Sequence, residues 1–265
     1  MIARNISCGQ MAIRFGLQGP SSVLASGPIA SLEAIGRAFD FLRHGRAEVA
    51  VAEGFEVLLK FSLYCARHYY GQALTEESPQ FFGLRPGYLT PSEGACMMVL
   101  ESAEHARARG ARVYARIEGW RSGRFGQGDA SRAIQESWSI LLDSVGRKPE
   151  DLGLFCVSSG GSNRKHELAE RDALSTFLRE HPVHACISAP RSLVGEGESW
   201  ASALQVALTA YQINEQRALP TWNVAADAPE EIAARSKGGV ISGPGALICG
   251  SDPCGAYGSL YMSRF

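Results

Sequence analysis

Several features that mark common functional classes are missing from this chain of 265 residues. Its 26 basic and 27 acidic side chains leave a net charge of −1, whereas a nucleic-acid-binding domain usually carries a basic excess. Two basic runs, Arg43–Arg46 and His105–Arg112, fit solvated helix ends at least as well as an acidic partner. No apolar run reaches the roughly 20 residues that span a membrane, and residues 1–10 lack the apolar core of a signal peptide. The sequence therefore predicts a cytoplasmic protein that binds neither nucleic acid nor a membrane.

The cysteines and histidines form no recognised metal or disulfide pattern. The seven cysteines are scattered and odd in number, and neither a Cys-x-x-Cys pair nor a His-Glu-x-x-His motif occurs. No Gly-x-Ser-x-Gly elbow supports a serine hydrolase. The glycine-rich segment Gly119–Gly128 does not continue as a dinucleotide fingerprint. We therefore expect no metal site and no cofactor.

The N-terminal region has the pattern of a strand, a turn, a helix and a second strand. Ser21–Ala25 is predicted as a buried strand, and Pro28 suits the first helical position because its missing N–H would have no intrahelical partner there. The following helix has one apolar face at helical spacing, formed by Ile29, Leu32, Ile35, Phe39 and Leu42. With a second strand at Glu48–Ala52, this pattern predicts a βαβ unit and a parallel sheet.

Strands and helices continue to alternate along the rest of the chain. Residues 53–92 are rich in aromatic residues, Gly and Pro, which is typical of a long packed excursion with short helices. Further strands are predicted at Cys96–Leu100, Arg112–Gly119, Leu154–Ser158 and Val183–Ser188, and near residues 239–241, 246–250 and 259–262. Helices are predicted at Ala103–Arg109, Ala130–Ser144, Glu167–Arg179 and Trp200–Glu215. The alternation indicates an α/β protein.

No local pattern defines an active site by itself. His166 and Glu167 open a helix, where a solvated N-terminal turn explains them more simply than acid–base catalysis. Glu196 and Glu198 are candidates for a carboxylate pair, although alternate residues of a loop need not converge. Cys8 is interpreted as a buried structural thiol, since nothing nearby in the sequence activates it.

Three segments taken in order resemble the β-ketoacyl-ACP synthase family. Residues 10–54 are similar to the stretch around the family's nucleophile, with its Phe-Gly-x-x-Gly-Pro-Ser entry. Residues 85–120 resemble the next signature, with Glu-Gly-Ala and Val-Leu-Glu in place, and residues 190–224 resemble the Lys-Ser-x-x-Gly-His segment and the Pro-Thr-x-Asn stretch. The resemblance implies an α/β, thiolase-like fold, with an incomplete N-terminal half at residues 1–118 and a complete C-terminal half at residues 119–265.

The resemblance also implies which residues occupy the family's catalytic positions. Active members use a cysteine nucleophile, two histidines and a nearby lysine. Pro28 stands at the cysteine position, Ser159 at the first histidine, Arg191 at the lysine and Glu196 at the second histidine. Proline has no nucleophilic atom, arginine does not readily release a proton, and an ionised glutamate cannot donate to an oxyanion. The loop that carries the family's gating phenylalanine corresponds to residues 250–259, which contain no Phe. We therefore expect these four positions to be degenerate and the chain to lack catalytic residues.

As a ketosynthase-like chain without the catalytic residues, this protein resembles a chain-length factor. The usual chain-length factor has Gln at the cysteine position, where this chain has Pro28. The resemblance then implies a non-catalytic subunit that forms a heterodimer with a full-length active ketosynthase and stabilises it. The setting is type II polyketide biosynthesis, including the polyene and aryl polyene types, or fatty-acid-like biosynthesis. The acyl carrier protein is an indirect partner, because it serves the active subunit.

Two other hypotheses remain open. The first is a stand-alone thiolase-fold acyltransferase that uses Ser26, Ser159 or Cys8, although the sequence places no base beside any of them. The second is a degraded gene product, which the clean helix periodicity disfavours. Because the nucleophile position is residue 28, about the first third of a family member has no counterpart here. We therefore expect the N-terminal strands to lack neighbours and the chain to depend on its partner for solubility.

Overall fold

The computed structural model describes residues 6–57, 80–84, 90–126, 128–158, 164–252 and 254–265. The helices of this part are α1 Ile6–Phe15, α2 Ala30–Arg43, α3 Ala103–Ala108, α4 Ala130–Ser144, α5 Arg164–Glu180, α6 Arg191–Val194, α7 Glu198–Glu215 and α8 Glu230–Arg235. The strands are β1 Val49–Glu56, β2 Gly94–Glu101, β3 Arg116–Arg124, β4 Leu152–Cys156, β5 Cys186–Ser188, β6 Arg217–Ala218, β7 Gly239–Val240, β8 Gly245–Ser251 and β9 Ala256–Ser263. None of the helices in these ranges is long and apolar enough to cross a membrane.

The largest sheet has five strands in the order β3-β9-β8-β4-β5. Strand β4 runs parallel to β5 and to β8, whereas β9 runs antiparallel to β8 and to β3. Smaller sheets pair β1 with β2 and β6 with β7, in both cases antiparallel. All five strands of the large sheet lie C-terminal to residue 115, so this sheet is formed by the later part of the chain alone.

Alternate residues of the large sheet face two separate hydrophobic cores, as the period of two along a strand requires. On one side, Phe155 of β4 contacts Trp138 of α4 and Phe177 of α5, with ring centroids 5.8 Å and 5.5 Å away. On the other side, Leu154 and Ile248 pack with α2 and α7. The β1–β2 sheet covers the far side of α2 and α7. The described residues therefore stack in four layers, helix, sheet, helix and sheet.

Local signals explain where the principal helices begin and end. The Asp129 side chain accepts hydrogen bonds from the N–H groups of Ser131 and Arg132, which caps the start of α4. Gly45, with φ +65°, ends the turn that follows α2 in a conformation that favours glycine. The predictions for α2, α4, α5 and α7 are confirmed, because their apolar faces cover a core.

Two predictions for the N-terminal region are wrong. Ser21–Ala25 forms no strand, and Val23 within it is 43% exposed. Strand β1 pairs antiparallel with β2, with Val49 opposite Glu101, so the expected parallel βαβ unit does not occur among the described residues. A strand is stabilised by its neighbours, and a pattern confined to five residues carries no information about them. Most of the excursion predicted for residues 53–92 lies outside the described residues, since 58–79 and 85–89 are not among them.

Candidate functional site

Pro28 lies in the turn that leads into α2. The turn is a short 3₁₀ helix at Gly27–Ile29, and Gly27 has a φ of +63°. Pro28 is buried, and its ring leaves no N–H at this point of the helix start. Its carbonyl oxygen accepts hydrogen bonds from the Ser202 hydroxyl and from Nη2 of Arg191, the latter at 3.3 Å. Position 28 therefore carries no nucleophile, and its carbonyl oxygen is occupied by hydrogen bonds within the protein.

A buried ion pair lies against this turn. Arg191, the first residue of α6, is 4% exposed, and Glu196 is 8% exposed. Nη1 of Arg191 lies 2.8 Å from Oε2 and 3.1 Å from Oε1 of Glu196. Nη2 of Arg191 donates to Oγ of Ser202 at 3.1 Å as well as to Pro28. The structure thus brings together Pro28, Arg191 and Glu196, three of the four positions singled out by the sequence; Ser159 lies outside the described residues.

Glu196 also connects this pair to a distant part of the chain. Its N–H donates to the Thr90 carbonyl at 2.8 Å, and its own carbonyl accepts from the Ser92 N–H at 2.9 Å. Its Oε1 accepts the N–H of Glu198 at 3.1 Å, at the start of α7. Gly195 is required beside it, because a Cβ there would lie 2.5 Å from the Thr90 oxygen and the φ is +81°. Glu196 therefore holds three segments in one arrangement.

Two polar side chains of α5, His166 and Glu170, are buried on one face of that helix. Burial, with a smaller contribution from the positive charge of Arg191, lowers the pKa of His166 to about 3. The imidazole is therefore neutral near pH 7, and its Nδ1 has no hydrogen-bond partner within the described residues. Glu170, one turn further on, accepts hydrogen bonds from the Ser158 N–H at 3.0 Å and from its hydroxyl at 2.9 Å. Burial raises the pKa of Glu170, and those bonds oppose the rise.

The predicted solvated turn at His166 is wrong, because the side chain is buried. Sequence reasoning also missed Glu170, which no motif had singled out. The signal that was available is the spacing of four between these two residues, which places both on one face of a helix. That face becomes informative only when it is known to point toward the core.

Ser26, one of the alternative nucleophiles, does have a carboxylate beside it. Its hydroxyl donates to Oε2 of Glu33 on α2. Two further carboxylates approach the same turn, because a Cβ built on Gly27 would lie 3.8 Å from Oδ2 of Asp252 and 3.9 Å from Oε2 of Glu198. Burial raises the pKa of Asp252. An oxyanion formed at Ser26 would therefore meet negative charge.

The candidate carboxylate pair of Glu196 and Glu198 is divided between two environments, as expected for alternate residues of a loop. Glu196 contacts Arg191, whereas Oε2 of Glu198 lies near Gly27. Cys8 is only half-buried, with its Sγ 2.9 Å from Oγ of Ser21, which differs from the buried thiol expected from the sequence. In the ranges that the structure describes, no cluster of three or more His, Cys, Asp or Glu side chains could hold a metal ion.

Sequence comparisons relate the chain to condensing enzymes. Residues 1–106 match the family "Beta-ketoacyl synthase, N-terminal domain". The chain is 29% identical over 233 residues to a putative polyketide beta-ketoacyl synthase 1 of Streptomyces cyaneus, covering 83% of this chain and 54% of that protein. It is 26% identical over 249 residues to 3-oxoacyl-[acyl-carrier-protein] synthase 2 of Staphylococcus aureus, covering 87% of this chain and 58% of that protein. The chain spans about half the length of the curated relatives it matches.

Solved structures share the fold. A type II polyketide ketosynthase in complex with its acyl carrier protein superimposes with a TM-score of 0.87 at 22% identity, covering 97% of this chain and 66% of that chain. The ishigamide ketosynthase/chain length factor superimposes with a TM-score of 0.81 at 20% identity, covering 92% of this chain and 61% of that chain. At these identities the likeness establishes the fold.

Proposed function

We propose that this chain is a non-catalytic subunit that pairs with an active ketosynthase. Residues 1–106 match the N-terminal domain of β-ketoacyl synthases, and the fold is that of solved ketosynthases. The partner carries out the condensation and receives the acyl carrier protein, and this chain stabilises the partner as a chain-length factor does. The relative named as a polyketide synthase and the neighbour named ketosynthase/chain length factor support a place in type II polyketide or fatty-acid-like biosynthesis.

The observation that carries the proposal is the buried contact of Pro28, Arg191 and Glu196. Condensation requires a thiolate nucleophile and donors directed at the thioester oxyanion. Proline supplies neither a nucleophile nor an N–H, and an ionised glutamate only accepts hydrogen bonds. The two Nη groups of Arg191 are already used by Glu196, Ser202 and the Pro28 carbonyl. At these three described positions the local chemistry opposes acyl transfer.

Intact-mass analysis after incubation with acyl-loaded carrier protein tests this directly. We expect no increase in mass of this chain, because position 28 offers no atom to acylate. An active ketosynthase with its cysteine serves as the positive control for the substrate. A stoichiometric adduct that hydroxylamine removes would contradict the proposal, and the variants Ser26→Ala and Cys8→Ala would then locate the nucleophile.

The substitution Pro28→Cys tests whether the loss extends beyond the nucleophile. We expect the variant to remain inactive in condensation and in malonyl decarboxylation, since Ser159 and Glu196 do not replace the two imidazole donors. Removal of one such donor typically costs about 10²–10³ in rate. Condensation by this single variant in the absence of a partner would show that the assignment of Ser159 and Glu196 to the two histidine positions is wrong.

The alternative of a stand-alone acyltransferase has one observation in its favour, the hydrogen bond from Ser26 to Glu33. A carboxylate so placed can accept the proton of a hydroxyl nucleophile. The carboxylates of Glu198 and Asp252 near the same turn oppose the negative charge that acyl transfer develops. The non-catalytic reading is therefore the better supported of the two.

Pairing itself is tested by co-expression with a full-length ketosynthase from the same pathway. We expect the two chains to co-elute in size-exclusion chromatography at equal stoichiometry, with an interface above about 2,000 Å², the range of obligate complexes. Co-expression with an unrelated ketosynthase is the control. A folded monomer that does not bind the ketosynthase of its own pathway would refute the pairing.

A further inference from the structure

The two basic runs of the sequence meet at one end of the β1–β2 sheet. Arg43–Arg46 comes just before β1, and His105–Arg112 follows just after β2. Because the strands are antiparallel, with Val49 opposite Glu101, the beginning of β1 and the end of β2 lie side by side. Two segments about 60 residues apart in the chain therefore place their cations on one surface.

Most of these arginines rest on aromatic rings and have no carboxylate partner. The distances from guanidinium carbon to ring centroid are 5.9 Å for Arg43 on Phe39, 5.1 Å for Arg46 on Phe41 and 5.0 Å for Arg107 on Phe265. These three arginines are exposed, and no carboxylate of the described residues lies within ion-pair distance of them. By contrast, Glu101 pairs with both His105 and Arg109. Stacking holds a guanidinium in place without using its hydrogen-bond donors.

Two further arginines extend this surface. Arg116 begins β3 opposite Ser263 of β9, and Arg264 follows Ser263 directly. Both are exposed and lack an ion pair within the described residues. We call the surface formed by Arg43, Arg46, Arg107, Arg116 and Arg264 the basic end. Three exposed carboxylates of the described residues lie beside these runs, namely Glu48, Glu104 and Glu215, and Glu215 lies 3.6 Å from Arg112.

We propose that the basic end is a docking surface for an acidic face of a partner protein. Planar guanidinium groups with free donors bind carboxylates in a bidentate manner. The basic end lies at the C-terminal end of α2, whereas Pro28 lies at its N-terminal end. Fourteen helical residues separate them, which is about 21 Å at 1.5 Å per residue. Docking there is therefore independent of the chemistry at position 28 and goes beyond the proposed function.

A protein is favoured over other anionic partners by the charges around the arginines. Glu48 and Glu104 would repel the uniform negative charge of a nucleic-acid backbone or an anionic lipid surface, whereas a protein face can place cations opposite them. The net charge of the whole chain is −1, and nucleic-acid-binding domains usually carry a basic excess.

The probe is fluorescein-labelled poly-L-glutamate, with binding to the full chain followed by fluorescence anisotropy at low ionic strength. The test variant is Arg46→Ala/Arg107→Ala, with one residue from each run. The control is Arg121→Ala/Arg124→Ala, which removes the same charge from exposed positions of β3. We expect the test variant to bind about tenfold more weakly, as the loss of two surface ion pairs predicts. The difference should vanish at about 1 M salt, where the Debye length is about 3 Å.

Thermal unfolding verifies that both variants remain folded, which is expected because all four side chains are exposed. Equal weakening by the control variant would overturn the proposal, and so would failure of the parent chain to bind polyglutamate at low salt. Binding to a single-stranded oligonucleotide, or to phosphatidylserine–phosphatidylcholine vesicles, that is tighter than binding to polyglutamate would overturn the proposal of an acidic protein and identify the other anion as the partner.

Discussion

The five-stranded sheet and the β1–β2 sheet are both built from apolar strands, but they are covered differently. Every residue of β4 and β8 is buried, because helices pack on both faces of that sheet. The β1–β2 sheet has α2 and α7 on one face, and on the other face Val49, Phe55, Met97 and Val99 remain between 42% and 60% exposed. The comparison shows that burial depends on the layers around a strand more than on the hydrophobicity of the strand itself.

Helix α7 lies between the two regions and contacts them by different means. Toward the large sheet, Nε2 of Gln205 donates to the carbonyls of Cys156 and Cys249, at 2.8 Å and 2.9 Å. Toward β2, Nε1 of Trp200 donates to the Ser92 carbonyl at 3.2 Å. The indole fits because Gly94 leaves space, since a Cβ there would come within 3.0 Å of the ring. One contact satisfies carbonyls in a closed core, and the other anchors the segment that enters β2.

The contrast between the regions can be measured with one substitution made twice. Phe155 of β4 is fully buried, whereas Phe55 of β1 is 46% exposed. We expect Phe155→Ala to lower the free energy of unfolding by about 3–5 kcal/mol because it opens a cavity. Phe55→Ala should cost less than about 1 kcal/mol. Urea unfolding of the two variants gives both values, and equal losses would mean that the outer face of β1–β2 is covered.

A second prediction concerns the ion pair at the junction of the regions. Arg191→Met should destabilise the chain by about 3 kcal/mol, because it leaves the Glu196 carboxylate buried without a counter-charge. The double variant Arg191→Met/Glu196→Leu should lie within about 1 kcal/mol of the parent, since neither charge then needs compensation.

The measurement is chemical denaturation of the parent, both single variants and the double variant. Arg132→Met is the control, because Arg132 forms an exposed ion pair with Glu136 and should change stability by less than about 0.5 kcal/mol. A double variant as unstable as Arg191→Met would show that the hydrogen bonds of the pair to Pro28, Ser202 and Glu198, and not charge compensation, determine its contribution.

The smallest expected effect is an acid-dependent loss of stability centred on α5. The pKa of His166 is lowered to about 3, whereas an unfolded histidine titrates near about 6.5. Between these values the unfolded state binds a proton that the folded state does not, so stability falls as pH decreases below about 6.5. The loss attributable to His166 should be about 2 kcal/mol between pH 7 and pH 5.

Comparison of parent and His166→Gln stability at pH 7 and pH 5 isolates this contribution. His44→Gln is the matched control, because His44 is exposed at the end of α2. The His166 variant should show a flatter pH dependence than the parent, and the His44 variant should follow the parent. An unchanged slope in His166→Gln would show that another group governs the acid sensitivity.

The helices were predictable from the sequence because the helical spacing of apolar residues is visible within a single segment of about 10 to 18 residues. The prediction for α4 coincides with the observed Ala130–Ser144, since its apolar residues recur at helical spacing. The resemblance also singled out Pro28, Arg191 and Glu196, which the structure brings together, because each lies in a short segment with a recognisable order of residues; their correspondence to the family's catalytic positions stays a prediction.

Only the tertiary structure decided how those segments meet. Arg191 lies 163 residues from Pro28 in the chain, yet donates a hydrogen bond to its carbonyl, and no local pattern encodes such a contact. The same limit explains why Ser21–Ala25 was wrongly predicted as a strand and His166 as a solvated residue. Strand pairing and the burial of a polar side chain depend on neighbours that are distant in the sequence. Periodicity and motif order are properties of the chain itself, whereas pairing and burial arise only when layers pack.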